Sequence, residues 1–254
     1  IYDTADSKSL IKSIIKDLDL DDKIYKPSTV LSAISMAKNA LISPTVYAQT
    51  NDIMEADRRA KRPRTHEIYR GYCQRCFVAG AMDFDDLLLN TVLLLENYPD
   101  VKKTLNNKWK YISGDEVQDS SDTDARLMEL LAGETQNVFL VGDDLQGIYN
   151  FRGANIDVIL NLEARYPGLK FINLKNNYRS TDTIVYGAKS LVDRNTKQLK
   201  KELHAAREVK GAPIIQTKCK NQEHEARNIV TYIKMCHNKY KIPYNEIAVL
   251  YRMT

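Results

Sequence analysis

The sequence predicts an α/β protein built on a parallel sheet and preceded by a helical region. Three observations predict it. Most of residues 1–108 read as helices, with apolar positions recurring at helical spacing. Beyond them, "KYIS", "NVFLVG", "LKFINL", "PIIQTK" and "EIAVLYR" are short apolar runs bounded by turn residues. Helical-length segments at 120–132, 155–166 and 180–203 separate several of those runs, and strands alternating with helices imply parallel pairing.

In chain order, "SLIKSIIKDLDL" places apolar residues at 10, 11, 14, 15, 18 and 20, close to the helical period. "PSTVLSAISMAKNAL" opens with Pro27 and Ser28, which suit a helix N-terminus. The stretch 49–70, "QTNDIMEADRRAKRPRTHEIYR", is polar and basic, and Pro63 should interrupt it. A solvated helical face is favoured there over contact with a phosphate backbone. "DFDDLLLNTVLLLENYP" resumes a strongly apolar helix that Pro99 is expected to end. The segment 195–212 reads as a charged helix end or linker. No internal repeat or low-complexity tract is present.

Composition narrows the classes. The 254 residues suffice for one large domain or two modest ones, and 43% apolar with 28% charged residues is ordinary for a soluble protein. A net charge of +4 permits a nucleic-acid partner without requiring one. With no apolar run of 18 residues, no membrane helix is expected. Four cysteines are too few for a disulfide framework. "CQRC" at 73–76 lacks a second pair at zinc spacing, so two reduced cysteines on one helix are favoured over a zinc-binding module.

Two predicted strand ends carry acids. Asp115 and Glu116 follow "YISG", while Asp143, Asp144 and Gln146 follow "VFLVG". In open parallel sheets, sites lie outside the carboxyl ends of strands. An aspartate there suits Mg²⁺ held against substrate phosphates, and a neighbouring glutamate can polarise an attacking water. The repeated acidic end, with glutamines at 118 and 146, strengthens that reading. Tyr149, Phe151 and Arg152 come just past the second acidic turn and offer stacking faces and a positive charge.

"DEVQD" at 115–119, "VGDDLQGIYNFRGA" at 141–154 and "NNYRS" at 176–180 resemble, in order, the second, third and fourth motifs of the UvrD/PcrA/Rep family of superfamily 1 DNA helicases. "IYDTAD" at the start, "MDFDDLL" at 82–88 and "IAVLYR" at 247–252 extend the resemblance over essentially the whole chain.

The resemblance implies a RecA-like, P-loop NTPase type of parallel sheet with an α-helical insertion. It places that insertion in residues 1–80, the C-terminal part of the first motor domain in 81–175 and the beginning of the second in 176–254. It implies ATP and Mg²⁺ as cofactors, and single-stranded and duplex DNA as partners. Asp115 would hold Mg²⁺ and Glu116 would activate water. Gln146 would sense the γ-phosphate. Tyr178 would lie against adenine, and Arg179 would reach the γ-phosphate. Tyr149, Phe151 and Arg152 would meet single-stranded DNA. Movement from 3′ to 5′, a role in repair or replication, and a bacterial-type cytoplasmic setting on the nucleoid go with the family.

The chain also departs from the pattern. Gly147 stands where the family usually has Ser, and Phe151 where many members have Trp. Ser113-Gly114 replaces two bulky apolar residues, which should loosen the packing behind the acid pair. None of the ten glycines is followed by lysine, so no GxxxxGK[ST] phosphate loop is present. The chain is therefore expected to be an interior piece of a larger helicase, inactive alone. The competing reading is a truncated homologue that binds nucleic acid or a partner without hydrolysing ATP.

Overall fold

The computed structural model describes residues 1–149, 153–199, 201–207 and 210–251. The chain divides into two compact units, Ile1–Asn173 with Val192–Glu202, and Leu174–Leu191 with Leu203–Thr254.

The first unit begins with helices α1 (Thr4–Asp17), α2 (Pro27–Asn39), α3 (Pro44–Gln49), α4 (Asn51–Arg59) and α5 (Thr65–Val78). Asp3 starts α1 by accepting from the N–H groups of Ala5 and Asp6, which have no intrahelical partner. Ile11, Ile14 and Ile15 of α1 meet Val30 and Ile34 of α2 and Ile68, Tyr69 and Tyr72 of α5 in one core. Each aliphatic side chain buried there contributes roughly 1.5–3 kcal/mol.

The polar stretch 49–70 breaks between α4 and α5, where Lys61 is left-handed at φ 58° and Pro63 follows. Its face is not wholly solvated, because Asp57 is buried and accepts from the Tyr47 hydroxyl at 2.8 Å.

Helix α6 (Phe84–Asn97) carries the expected apolar run, and α7 (Pro99–Lys108) follows at once. Pro99 thus starts a helix as well as closing one, since the first turn needs no N–H from it. Val92 and Leu95 of α6 pack on Leu130 of α8 (Asp122–Ala132).

Strands β1 (Ile112–Gly114) and β2 (Val138–Leu140) flank α8 in sequence and pair in parallel, with Ile112 opposite Val138 and Gly114 opposite Leu140. The single helix expected over 155–166 is two short ones, α9 (Asp157–Leu160) and α10 (Leu162–Arg165), separated by Asn161. Val158, Ile159, Leu162 and Tyr166 from this segment close a second core with Val117 and Ala125.

In the second unit, β3 (Asn176–Asn177) pairs in parallel with β4 (His204–Ala205). Helix α11 (Asp182–Val192) is shorter than the segment 180–203 expected from sequence, and α12 (Gln222–Tyr240) completes the helices. "LKFINL", "PIIQTK" and the described part of "EIAVLYR" are not strands. An apolar run becomes a strand only beside a ladder partner, and Ile172, Leu174, Ile214, Ile215 and Leu250 instead stand exposed. The described residues are mostly helical, with two small parallel sheets. None of the described helices is long and apolar enough to cross a membrane.

Candidate functional site

The parallel register of β1 and β2 brings two acidic strand ends side by side. Backbone bonds lock them there. Val141 N–H donates to Gly114 O at 2.8 Å, and Val117 N–H donates to Val141 O at 3.1 Å. Gly114 does not leave the loose packing expected of it. A methyl group at that position would lie 3.0 Å from a Leu140 methyl carbon and 3.1 Å from the Met128 sulfur. Neighbouring side chains already fill the space that a bulky residue would take.

Asp115 is exposed, and its Oδ1 accepts from the Glu116 N–H at 2.9 Å. Glu116 is also exposed and left-handed at φ 52°, a conformation that costs a residue with a Cβ about 1 kcal/mol or more. Its carboxylate accepts from Gln118 Nε2 at 2.5 Å. Gln118 is only 1% exposed, and its Oε1 accepts from the Asp143 N–H at 2.9 Å. A methyl group on Gly142 would come within 2.9 Å of that oxygen, so glycine permits the close approach. Sequence reasoning noted Gln118 as part of a pattern and gave it no role. A buried amide joining two acidic ends is visible only in three dimensions.

Asp143 is gripped from several sides. Its carboxylate accepts from Gln146 Nε2 at 2.7 Å and from the Leu145 N–H at 3.1 Å. The Lys201 ammonium contacts Asp143 and lies 3.0 Å from Asp144, and the Leu199 N–H donates to Asp144 at 2.7 Å. Burial alone would raise the Asp143 carboxyl, yet the Lys201 and Gln146 hydrogen bonds hold it below the ordinary value. Burial would likewise lower Lys201, and its bonds to Asp143 and Asp144 raise it instead. Lys201 lay hidden in a segment read as a helix end or linker.

Of the three residues expected on DNA, Phe151 and Arg152 lie outside the described residues. Tyr149 is described and about a third exposed. Both flanks of the stretch are pinned. Gly147 sits against Ile156, where an added methyl group would meet Cδ1 at 3.1 Å. Gly153 is left-handed at φ 93°, and a methyl group there would stand 2.8 Å from Asn39 Cβ on α2. Asn155 donates its N–H to Ser120 O at 2.9 Å and its amide to Asp122 at 3.1 Å. The described flanks therefore lie at the acidic end of β2 and beside the turn after β1.

In the second unit, Tyr178 is exposed, and Arg179 is held through its backbone. Its N–H donates to Asn177 Oδ1 at 3.0 Å, and its carbonyl accepts from Arg207 at 3.2 Å.

Asp115, Glu116, Asp143 and Gln146 all belong to the first unit, and Tyr178 and Arg179 to the second. No group of three His, Cys, Asp or Glu side chains that could cage a metal occurs among the described residues. An exposed aspartate fits a Mg²⁺ ion that arrives with phosphates, because such ions usually keep one or two carboxylates and several waters. Cys73 and Cys76 lie on α5, and burial pushes the Cys73 thiol up to about 12.

Neighbouring parallel strands that end in an Asp-Glu pair and a glutamine-bearing acidic turn suit a nucleotide-binding α/β protein, whose sites lie outside the carboxyl ends of its strands. Residues 1–167 match the UvrD/REP helicase N-terminal domain, and residues 172–254 match the UvrD-like helicase C-terminal domain. The chain belongs to the UvrD/Rep helicase family, which carries a RecA-like α/β fold. It is 34% identical over 252 residues to the ATP-dependent DNA helicase PcrA of Leuconostoc citreum, covering 99% of this chain and 33% of that protein. It is 35% identical over 253 residues to PcrA of Staphylococcus epidermidis, covering 99% of this chain and 34% of the relative. The chain thus spans about a third of the length of the curated relatives it matches.

Proposed function

We propose that the chain is part of an ATP-dependent DNA helicase that moves along single-stranded DNA and unwinds duplex DNA, 3′ to 5′, in repair or replication. The observation that carries this reading is the joining of two acidic strand ends, Glu116 and Asp143, through one buried amide. In the same reading, residues 1–80 form the helical insertion of the first motor domain. Residues 81–175 form the C-terminal part of that domain, and 176–254 begin the second.

Asp115 would hold Mg²⁺, which supplies charge neutralisation on the β- and γ-phosphates. Glu116 accepts a proton from the attacking water, and its exposure at the strand end leaves it open to that water. Gln146 senses the γ-phosphate from the acidic turn, Tyr178 lies against adenine, and Arg179 meets charge on the γ-phosphoryl group. Tyr149, Phe151 and Arg152 grip single-stranded DNA by stacking and charge, which tolerates any base sequence. The 254 residues contain no phosphate-cradling GxxxxGK[ST] loop, so the chain alone should show no ATP turnover.

The deciding experiment substitutes Glu116→Gln in the complete protein. Loss of a general base should lower turnover by roughly 10²–10⁴-fold while ATP affinity changes little. A variant that loses ATP affinity but turns over normally at saturation would remove Glu116 from the base role.

A further inference from the structure

We propose that Gln118 is a positioning residue that ties the hydrolytic carboxylate of Glu116 to the loop that grips DNA. The proposal rests on the helicase reading above and adds a residue to it.

An amide side chain offers a neutral donor and a neutral acceptor on separate atoms. Gln118 uses both at once. Its nitrogen donates to Glu116 and its oxygen accepts from the Asp143 backbone, from a position that is 1% exposed. Asp143 in turn accepts from Gln146 and from the Leu145 N–H, so an unbroken hydrogen-bonded path runs Glu116–Gln118–Asp143–Gln146. The path then enters the stretch bearing Tyr149 and Phe151.

Its surroundings allow little slack. Gly142 leaves no room for a side chain beside the Gln118 oxygen, and Val117 is fixed to Val141 through the backbone. Glu116 is otherwise exposed on a left-handed residue, and the Gln118 amide holds its carboxylate. A shift of the loop when DNA binds must therefore move Asp143 against Gln118, and Gln118 against Glu116. A residue that only filled space would need neither hydrogen bond.

Two substitutions in the complete protein separate the halves of the path. Gln118→Glu keeps an acceptor for the Asp143 N–H but sets an oxygen against Glu116. Gln118→Met keeps the length and makes neither bond. Both should lower kcat at saturating DNA by at least about tenfold, the size of one hydrogen bond to a charged group. KM for ATP should stay within about twofold, because neither variant touches a group that binds the nucleotide. The two should differ on DNA. Both lose DNA stimulation of the ATPase, but Gln118→Glu keeps single-stranded DNA affinity near wild type, whereas Gln118→Met weakens it.

Melting curves report the folded fraction, so rates are compared per folded molecule. Wild-type kcat and stimulation per folded molecule in both variants would overturn the proposal. So would equal losses of kcat and DNA affinity in the two variants. Should either variant fail to fold, Gln118→Asn, too short to span both partners, carries the same comparison: wild-type kcat and stimulation would overturn the proposal, and loss of stimulation at unchanged KM would support it. If Glu116→Gln itself keeps full turnover, the helicase reading fails. If Glu116→Gln is inactive and the Gln118 variants are normal, only this inference fails.

Discussion

The helical region of the first unit buries a lysine between two aspartates, whereas the strand-end region beside it buries neutral polar groups with one carboxylate, Asp144, and leaves Asp115 and Glu116 outside. In the helical region Lys38 is 1% exposed, with its ammonium 2.7 Å from both Asp83 and Asp86 and 4.9 Å from the centre of the Tyr72 ring. Burial opposes charge on all three groups. Pairing with Asp83 and Asp86 nevertheless raises Lys38 above its ordinary value, and Lys38 with Tyr72 holds Asp83 below its own. Asp86 is raised, because burial outweighs its share of the single lysine. In the strand-end region Gln118, Ser121 and Thr123 are buried, while Asp115 and Glu116 face solvent. Charges that cancel one another inside a bundle hold helices together but are closed to a substrate. Charges placed by neutral buried neighbours remain open to one.

Lys38→Ala tests the first half of that contrast and should have the larger effect on stability. It strands two buried carboxylates and should cost about 3–5 kcal/mol in denaturant unfolding. A loss under about 1 kcal/mol would mean that Asp83 and Asp86 reach water on their own, and the contrast would collapse. The cluster also sets an alkaline limit. A raised lysine contributes fully below its unfolded value of 10.5 and loses that contribution as pH climbs through the folded one. Tyr72, pushed up chiefly by burial, keeps its proton when folded and loses it when unfolded, which acts in the same direction. Denaturant midpoints should hold to about pH 10 and fall above it. A midpoint level to pH 11 would count against both groups.

The elements on both sides of this contrast could be read before the fold was known, but not the contrast itself. "DFDDLLL" announces α6 and its cap, since an acid at the N-cap and another three residues later reciprocate across the first turn. That Asp83 also meets a lysine 45 residues earlier is a property of packing, which no local pattern carries. The acidic ends of β1 and β2 were legible because strand, turn and acids are consecutive. Gln118 reaches Asp143 across 25 residues, and Lys201 reaches it across 58, so neither role was visible. "LKFINL" and "PIIQTK" failed as strands for a related reason, because the pairing that defines a strand lies outside the run itself. The roles given to Gln146, Tyr178 and Arg179 came from resemblance to a family rather than from local chemistry.

Phe151→Ala in the complete protein probes the second half of the contrast. If the strand-end region leaves side chains free for a ligand, this change should weaken single-stranded DNA binding by about 1–3 kcal/mol with little base preference. The salt dependence should stay nearly constant, because stacking releases no counterions. A buried core phenylalanine would instead cost roughly 3–5 kcal/mol of stability. A large drop in melting temperature with unchanged DNA affinity per folded molecule would place Phe151 among the architectural residues.

The smallest effect is expected at Ser121, which caps α8 as Asp83 caps α6. The two boxes share a geometry. The Ser121 hydroxyl accepts from the Asp124 N–H at 3.1 Å, and the Asp124 carboxylate accepts from the Ser121 N–H at 3.0 Å. The Asp83 carboxylate accepts from the Asp86 N–H at 2.8 Å, and Asp86 accepts from the Asp83 N–H at 3.2 Å. What differs is the surroundings. Asp83 also receives hydrogen bonds from Lys38 and Tyr72, each at 2.7 Å, whereas the Ser121 hydroxyl gives its own proton to Asp124 at 2.7 Å. Ser121→Ala therefore removes a cap alone and should cost about 1 kcal/mol. Asp83→Ala removes a cap and leaves a buried lysine with one carboxylate, so its cost should approach that of breaking a buried ion pair, about 3–5 kcal/mol. Denaturant unfolding of the two variants side by side makes the comparison with helix capping held constant. Equal losses would show that the caps alone stabilise both regions and that the buried charge adds nothing. A ratio near three or more would assign the excess to the Lys38 cluster.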